Sequence, residues 1–183
     1  MVFWESCTLF FDFPSRDDSF RLPEMSNKLT RPELPAVGIV AGMEAEDRSL
    51  LSNYGEFLPV QAGQKIIEYG QEQESLYLVI SGLLHVTIEV EGRTKLMARV
   101  EQGETLGEVN VFDPAAASAT VVSQEFSQVW KANRQDIDDF VKAYPAAGAA
   151  LVEGILTVMC RRIRHMNNKI ADSESSDILG KFW

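Results

Sequence analysis

The residues able to do nucleophilic, acid–base or metal chemistry are few in this sequence, and they are scattered. Cys7 lies near the N-terminus, His85 stands alone mid-chain, and Cys160 and His165 fall in a basic stretch toward the C-terminus. A structural zinc site needs four such ligands and a catalytic one about three, brought together from suitable spacings. No metal site is therefore expected. No Gly-x-Ser-x-Gly elbow and no phosphate-binding Gly-Lys-Ser/Thr loop occurs. No nucleophile can be paired with a base, so the chain is read as a binding protein and not an enzyme.

Composition sets the frame in which such binding must work. The chain has 183 residues, 45% of them hydrophobic and 24% charged, the balance of a soluble globular protein. One ordinary domain fits this length, and its core needs no disulfide or metal. Two distant cysteines suit a reducing, cytoplasmic setting with free thiols. No apolar run approaches the roughly 20 residues of a membrane helix. The formal net charge of −10 repels polyanions, so the chain by itself is not expected to bind DNA.

Residues 1–36 look like an extension or arm, with Phe3, Trp4, Phe10, Phe11 and Phe13 clustered ahead of Pro14, Pro23, Pro32 and Pro35. So many aromatics are more than a solvated tail carries, which suggests docking on the body or on a second subunit. A short helix is expected near 43–53, with Leu50 and Leu51 facing inward. From about 56 to 132 short apolar segments alternate with glycine turns. The run from Leu84 to Val90 places Leu84, Val86, Ile88 and Val90 on one face and His85, Thr87 and Glu89 on the other, the period of a half-buried strand. Evenly spaced short strands of this kind make an antiparallel roll, sandwich or barrel. From 134 the period turns helical. Ile137, Phe140, Val141 and Tyr144 form one segment. After Pro145, residues Val152, Ile155, Met159, Ile163, Met166 and Ile170 follow at gaps of three and four, close to a heptad seam.

In this order the elements resemble the cyclic-nucleotide-binding domain of the catabolite activator and protein kinase A regulatory subunit superfamily, over roughly residues 38–171. The resemblance rests on Val60-Gln61-Ala62-Gly63-Gln64-Lys65-Ile66-Ile67, on Gly70 through Ser75-Leu76-Tyr77-Leu78-Val79-Ile80-Ser81-Gly82, and on Glu101-Gln102-Gly103-Glu104-Thr105-Leu106-Gly107-Glu108. It implies a mainly β fold with flanking helices: an antiparallel, jelly-roll-like β-roll over 37–133. A helical hinge and dimerisation helix over 134–171 and a polar tail over 172–183 would follow. Glycines 63, 70, 82, 103 and 107 would make the tight turns.

The resemblance also places a ligand segment, the family's phosphate-binding cassette, at Leu106 to Val121. In the family a cyclic phosphate is held there by backbone N–H groups and an arginine fork, and a carboxylate accepts from the ribose hydroxyl. Gly107, Glu108 and Val109 match the start of the cassette. Ser118, Ala119 and Thr120 match the residues after the arginine, and the arginine position itself is Ala117. Losing a charge-assisted hydrogen bond of about 1.5–3 kcal/mol weakens a cyclic nucleotide by one or two orders of magnitude. Glu108 is then expected to lack a counter-cation. Arg99, Arg161 or Arg162 could supply one from elsewhere, and Asn167 on the long helix could reach a base. The expectation is a stand-alone regulatory or sensor module, homodimeric through helix 146–170, with no cofactor beyond a cyclic nucleotide or another small molecule. The family's transcription factors continue into a helix-turn-helix, for which the dozen residues after Ala171 are too few. A cyclic-nucleotide receptor with a displaced cation, or a purely structural interaction module, are the alternatives.

Overall fold

The structure is a computed structural model that describes the backbone of residues 32–180 and side chains as far as residue 171. The aromatic segment 3–13 and the apolar end Phe182-Trp183 lie outside the described residues. A 3-10 turn, Gly38–Val40, and helix α1, Ala45–Ser52, precede the strands. Strands β1 (Glu56–Val60), β2 (Lys65–Ile67), β3 (Glu72–Gln73), β4 (Ser75–Ser81), β5 (Leu84–Val90), β6 (Arg93–Val100) and β7 (Thr105–Leu106) lead to the short helix α2, Glu108–Phe112. Then come β8 (Ala115–Ala116), β9 (Thr120–Ser123), β10 (Ser127–Asn133), helix α3 (Arg134–Ala143) and helix α4 (Pro145–Gly180).

The strands form two four-stranded sheets, ordered β1-β10-β4-β7 and β2-β9-β5-β6, and a two-stranded ribbon, β3-β8, all antiparallel. This is the β-roll with flanking helices. Side-chain alternation along the first sheet divides the core into two. Tyr77, Val79 and Val129 point between the sheets, where they meet Val60, Leu84, Val100, Leu106 and Val121. Leu76, Leu78, Trp130 and Ala132 point the other way, against Val40, Leu51, Phe140, Leu151 and Ile155 of the helices. Glycines 63, 70, 82, 103 and 107 all have positive φ, as their turns require.

Several expectations need correction. Leu34, assigned to the extension, is buried in the helix-side core, and its carbonyl accepts from Arg48 Nε at 3.1 Å. The body therefore begins before residue 37. The polar character of residues 172–180 suggested a tail, but the backbone stays helical to Gly180 because α4 runs on unbroken. Val90 is exposed, since β5 and β6 extend past the end of the roll and the alternation of β5 is buried only at its Leu84 end. The seam of α4 also divides. Ile155 is buried against the chain's own roll, Val152 and Met159 are half-buried, and Ile163, Met166 and Ile170 are exposed.

Two local devices set the helices. The capping box of α3 joins Asn133 Oδ1 to Asp136 N at 2.9 Å, and Asn133 N donates to Asp136 Oδ2 at 2.8 Å. On α4, Gly154 rests against the Ile39 carbonyl so closely that a Cβ would overlap it. That contact fixes which face of α4 looks at the roll.

Candidate ligand-binding site

The cassette is built on the turn between β7 and α2. Gly107 caps α2 at φ 76°, and a Cβ there would overlap the Ser75 carbonyl, so only glycine fits without a shift. This turn carries Glu108 into a buried position, with its side chain 8% exposed. A buried carboxylate needs a partner. The partner is Arg162 of α4. Its Nη1 donates to Glu108 Oε1, and its Nη2 donates to the backbone carbonyl of Thr105. The expectation that Glu108 lacks a counter-cation is thus overturned. α4 docks through Leu151 and Ile155, and the helical phase this imposes turns Arg162 toward the cassette.

The far end of α2 is held by a second arginine. Arg134, at the start of α3, donates through Nη1 to the carbonyls of Val111 at 2.7 Å and Phe112 at 3.3 Å, and its Nε pairs with Asp138 at 3.2 Å. The last carbonyls of a helix have no partner of their own, and a guanidinium satisfies them. The loop that follows is closed by Asn110 Nδ2 on Ala115 O at 2.8 Å. Sequence reading missed Arg134, which marks only the change of period from strand to helix and gives no local sign of a contact 23 residues upstream.

The other expected site residues divide. Ala117 is buried, and its backbone pairs with the opposite turn: its N–H donates to Gln71 O at 2.8 Å and its carbonyl accepts from Gly70 N at 2.9 Å. Ser118 is exposed and Ala119 half-buried beside it. Val109 is 51% exposed and lines a groove, not an enclosed pocket. Asn167 is exposed on α4 beyond Arg162 and does not line that groove. Arg99 lies on β6 opposite His85, and Arg161 is exposed on α4; neither shares the Glu108 contact.

The groove itself runs between α2 and α4 beside the Glu108–Arg162 pair, with a volume of about 280 Å³. Its walls are Val109, Phe112, Val152, Ile155, Leu156 and Met159, together with the acidic residues Glu108 and Asp113. Close by, Thr105 Oγ1 is buried without a hydrogen-bond partner among the described residues.

Residues 57–144 match the family model described as the cyclic nucleotide-binding domain. The β-roll belongs to the cyclic nucleotide-binding superfamily. Among curated relatives is the CRP-like cAMP-activated global transcriptional regulator of Mycobacterium tuberculosis, 26% identical over 151 residues, which are 81% of this chain and 65% of the regulator. The chain thus spans a little under two-thirds of that relative's length. Solved structures share the superfamily fold at lower identity. Thermus thermophilus catabolite activator protein aligns at 22% identity and a TM-score of 0.65, over 73% of this chain and 61% of its own. The regulatory subunit of a cAMP-independent protein kinase A from Trypanosoma cruzi, bound to guanosine, aligns at 21% identity and a TM-score of 0.54, over 68% of this chain and 41% of its own. Among the described residues no helix is long and apolar enough to cross a membrane, and no group of three or more His, Cys, Asp or Glu is placed to hold a metal ion.

Proposed function

We propose that this chain is a regulatory sensor module whose cassette takes an uncharged ligand of the nucleoside class in preference to a cyclic nucleotide, and that it works as a homodimer through α4. One observation carries the ligand reading: the guanidinium that reaches the cassette, that of Arg162, is already engaged by Glu108. The arginine position of the cassette is Ala117, and Arg134 is engaged by α2 carbonyls and Asp138. A cyclic phosphate would bring a negative charge into a site whose ion pair is already neutral, and its desolvation would be uncompensated. A nucleoside asks for no cation. Its sugar hydroxyls can donate to a carboxylate and accept from a guanidinium, which is the pair Glu108 and Arg162 present. The guanosine-bound Trypanosoma cruzi neighbour supports the chemistry by analogy of fold.

The dimer reading is supported by the exposed apolar residues of α4, Leu156, Ile163, Met166 and Ile170, which a monomer would leave in water. The signal would pass through α4, because a ligand that competes for Glu108 loosens the tie between α4 and the cassette.

Isothermal titration calorimetry with guanosine, adenosine, cyclic AMP and cyclic GMP tests this. A nucleoside is expected to bind at least tenfold tighter than either cyclic nucleotide. The rival reading takes Arg162 as a relocated phosphate anchor, and the reach of Arg162 to the cassette favours it. Micromolar cyclic AMP binding that disappears in Arg162→Ala would establish the rival and refute the nucleoside reading. No binding by any of the four compounds would refute both.

A further inference from the structure

Strand β6 ends the second sheet, and only one of its edges is paired. It bonds to β5, and among the described residues no strand lies on its other side. Its outer row of backbone N–H and C=O groups is therefore a template for a further strand. Every residue from Arg93 to Arg99 is exposed, and only Val100 enters the core.

Three features of β6 select what can pair there. The strand carries Arg93, Lys95 and Arg99 and no carboxylate, in a chain whose net charge is −10. None of these cations has an ion-pair partner among the described residues. Across the hairpin, Val90 stands opposite Arg93, Glu89 opposite Thr94 and Ile88 opposite Lys95. Second, Leu96 and Met97 are 45% and 53% exposed. Third, Met97 is the extra residue of a bulge, since Leu96 pairs with Thr87 and Ala98 with Val86. Residues 93–96 are thus the uninterrupted stretch of free edge. Strand alternation sets Arg93 and Lys95 on one face and Thr94 and Leu96 on the other.

Charge and a bulge are common means of keeping an edge from pairing. They act against a like edge: a second copy of β6 would set cations against cations. They do not act against a strand of opposite charge. An edge that is only protected also has no need of two large apolar side chains in water.

We propose that β6 is a docking edge for an extended acidic segment of another protein, which joins the sheet as a strand outside residues 93–96. Main-chain hydrogen bonds hold the added strand. Carboxylates two residues apart on it meet Arg93 and Lys95, and an apolar side chain on its other face covers Leu96. This goes beyond the ligand and dimer readings and depends on neither.

Fluorescence anisotropy of the full chain at low salt tests it. The probe is a short fluorescein-labelled peptide in which glutamate alternates with valine. It is expected to bind about tenfold or more tighter than a peptide alternating lysine with valine. The double change Arg93→Glu and Lys95→Glu, at exposed positions, is expected to abolish binding while circular dichroism stays that of the parent. Lys65→Glu, on the β2 edge, is expected to leave it unchanged. N-methylation of the peptide at alternate residues should block binding in one register and spare it in the other, because only one row of N–H groups faces β6. Parent affinity in the folded double variant overturns the proposal. So does indifference to N-methylation in both registers, which would mean charge attraction without an added strand. Should the double variant fail to fold, the two N-methylated peptides on the parent chain decide. A thymidine oligonucleotide that binds the parent more tightly than the acidic peptide, and loses affinity in the double variant, would also overturn it by assigning the cations to phosphates.

Discussion

Arg162 and Glu108 are separated by 54 residues, with β8, β9, β10 and α3 between them, and they meet at the turn that opens α2. The carboxylate is buried and the guanidinium is part-exposed, so the contact lies at the rim of the helix-side core. Arg162→Ala leaves Glu108 buried without its partner. Urea denaturation is expected to show a loss of about 1–3 kcal/mol, less than for a fully buried pair because solvent reaches the arginine. Glu108→Gln in the same chain should restore part of that loss, and the double-mutant cycle measures the coupling. Additive effects of the two changes would show that the pair contributes nothing to stability.

Ala117→Arg puts a guanidinium where the superfamily keeps one. Calorimetry should then show cyclic AMP binding improved by about one to two orders of magnitude over the parent, the value of a charge-assisted hydrogen bond of about 1.5–3 kcal/mol. Affinity for a nucleoside should change little. No gain for cyclic AMP would mean that the cassette backbone, and not the missing charge, excludes the phosphate.

Much of this architecture was legible in the residues. Glycines 63, 70, 82, 103 and 107 mark positive-φ turns, and few other residues tolerate that conformation. The change of period at Arg134 marks the passage from strand to helix. The partner of Glu108 was not legible. Arg161, Arg162 and Arg164 are chemically alike in the sequence, and only the docking of Leu151, Gly154 and Ile155 decides which of them faces the cassette. For the same reason a seam read through Ile155 included a residue of the chain's own core. Leu34 escaped notice because it sits between Pro32 and Pro35, where local composition signals a linker while a distant core claims the side chain.

Gly107→Ala tests the cassette turn. The substitution imposes a left-handed conformation on alanine and drives its methyl group into the Ser75 carbonyl. A loss of about 2 kcal/mol or more is expected in denaturant unfolding. An unchanged midpoint would show that the turn relaxes freely.

Arg134→Gln removes the guanidinium that holds the Val111 and Phe112 carbonyls. Hydrogen exchange followed by mass spectrometry should show faster exchange in a peptide covering 108–113, while peptides of β4 and β10 keep their protection. Global stability should fall by only about 1 kcal/mol, the usual net worth of such bonds. Equal loosening throughout would indicate that α2 has no independent freedom.

The close approach of Gly154 to Ile39 turns the long helix into a lever with a fixed fulcrum. At about 1.5 Å per residue, Arg162 lies about 12 Å along the arm and Ile170 about 24 Å. A tilt that lifts the guanidinium by a given amount therefore moves the distal end about twice as far. Adding a methyl group at 154 would shift that pivot and, with it, the mechanical gain between the carboxylate and whatever rests on the far arm.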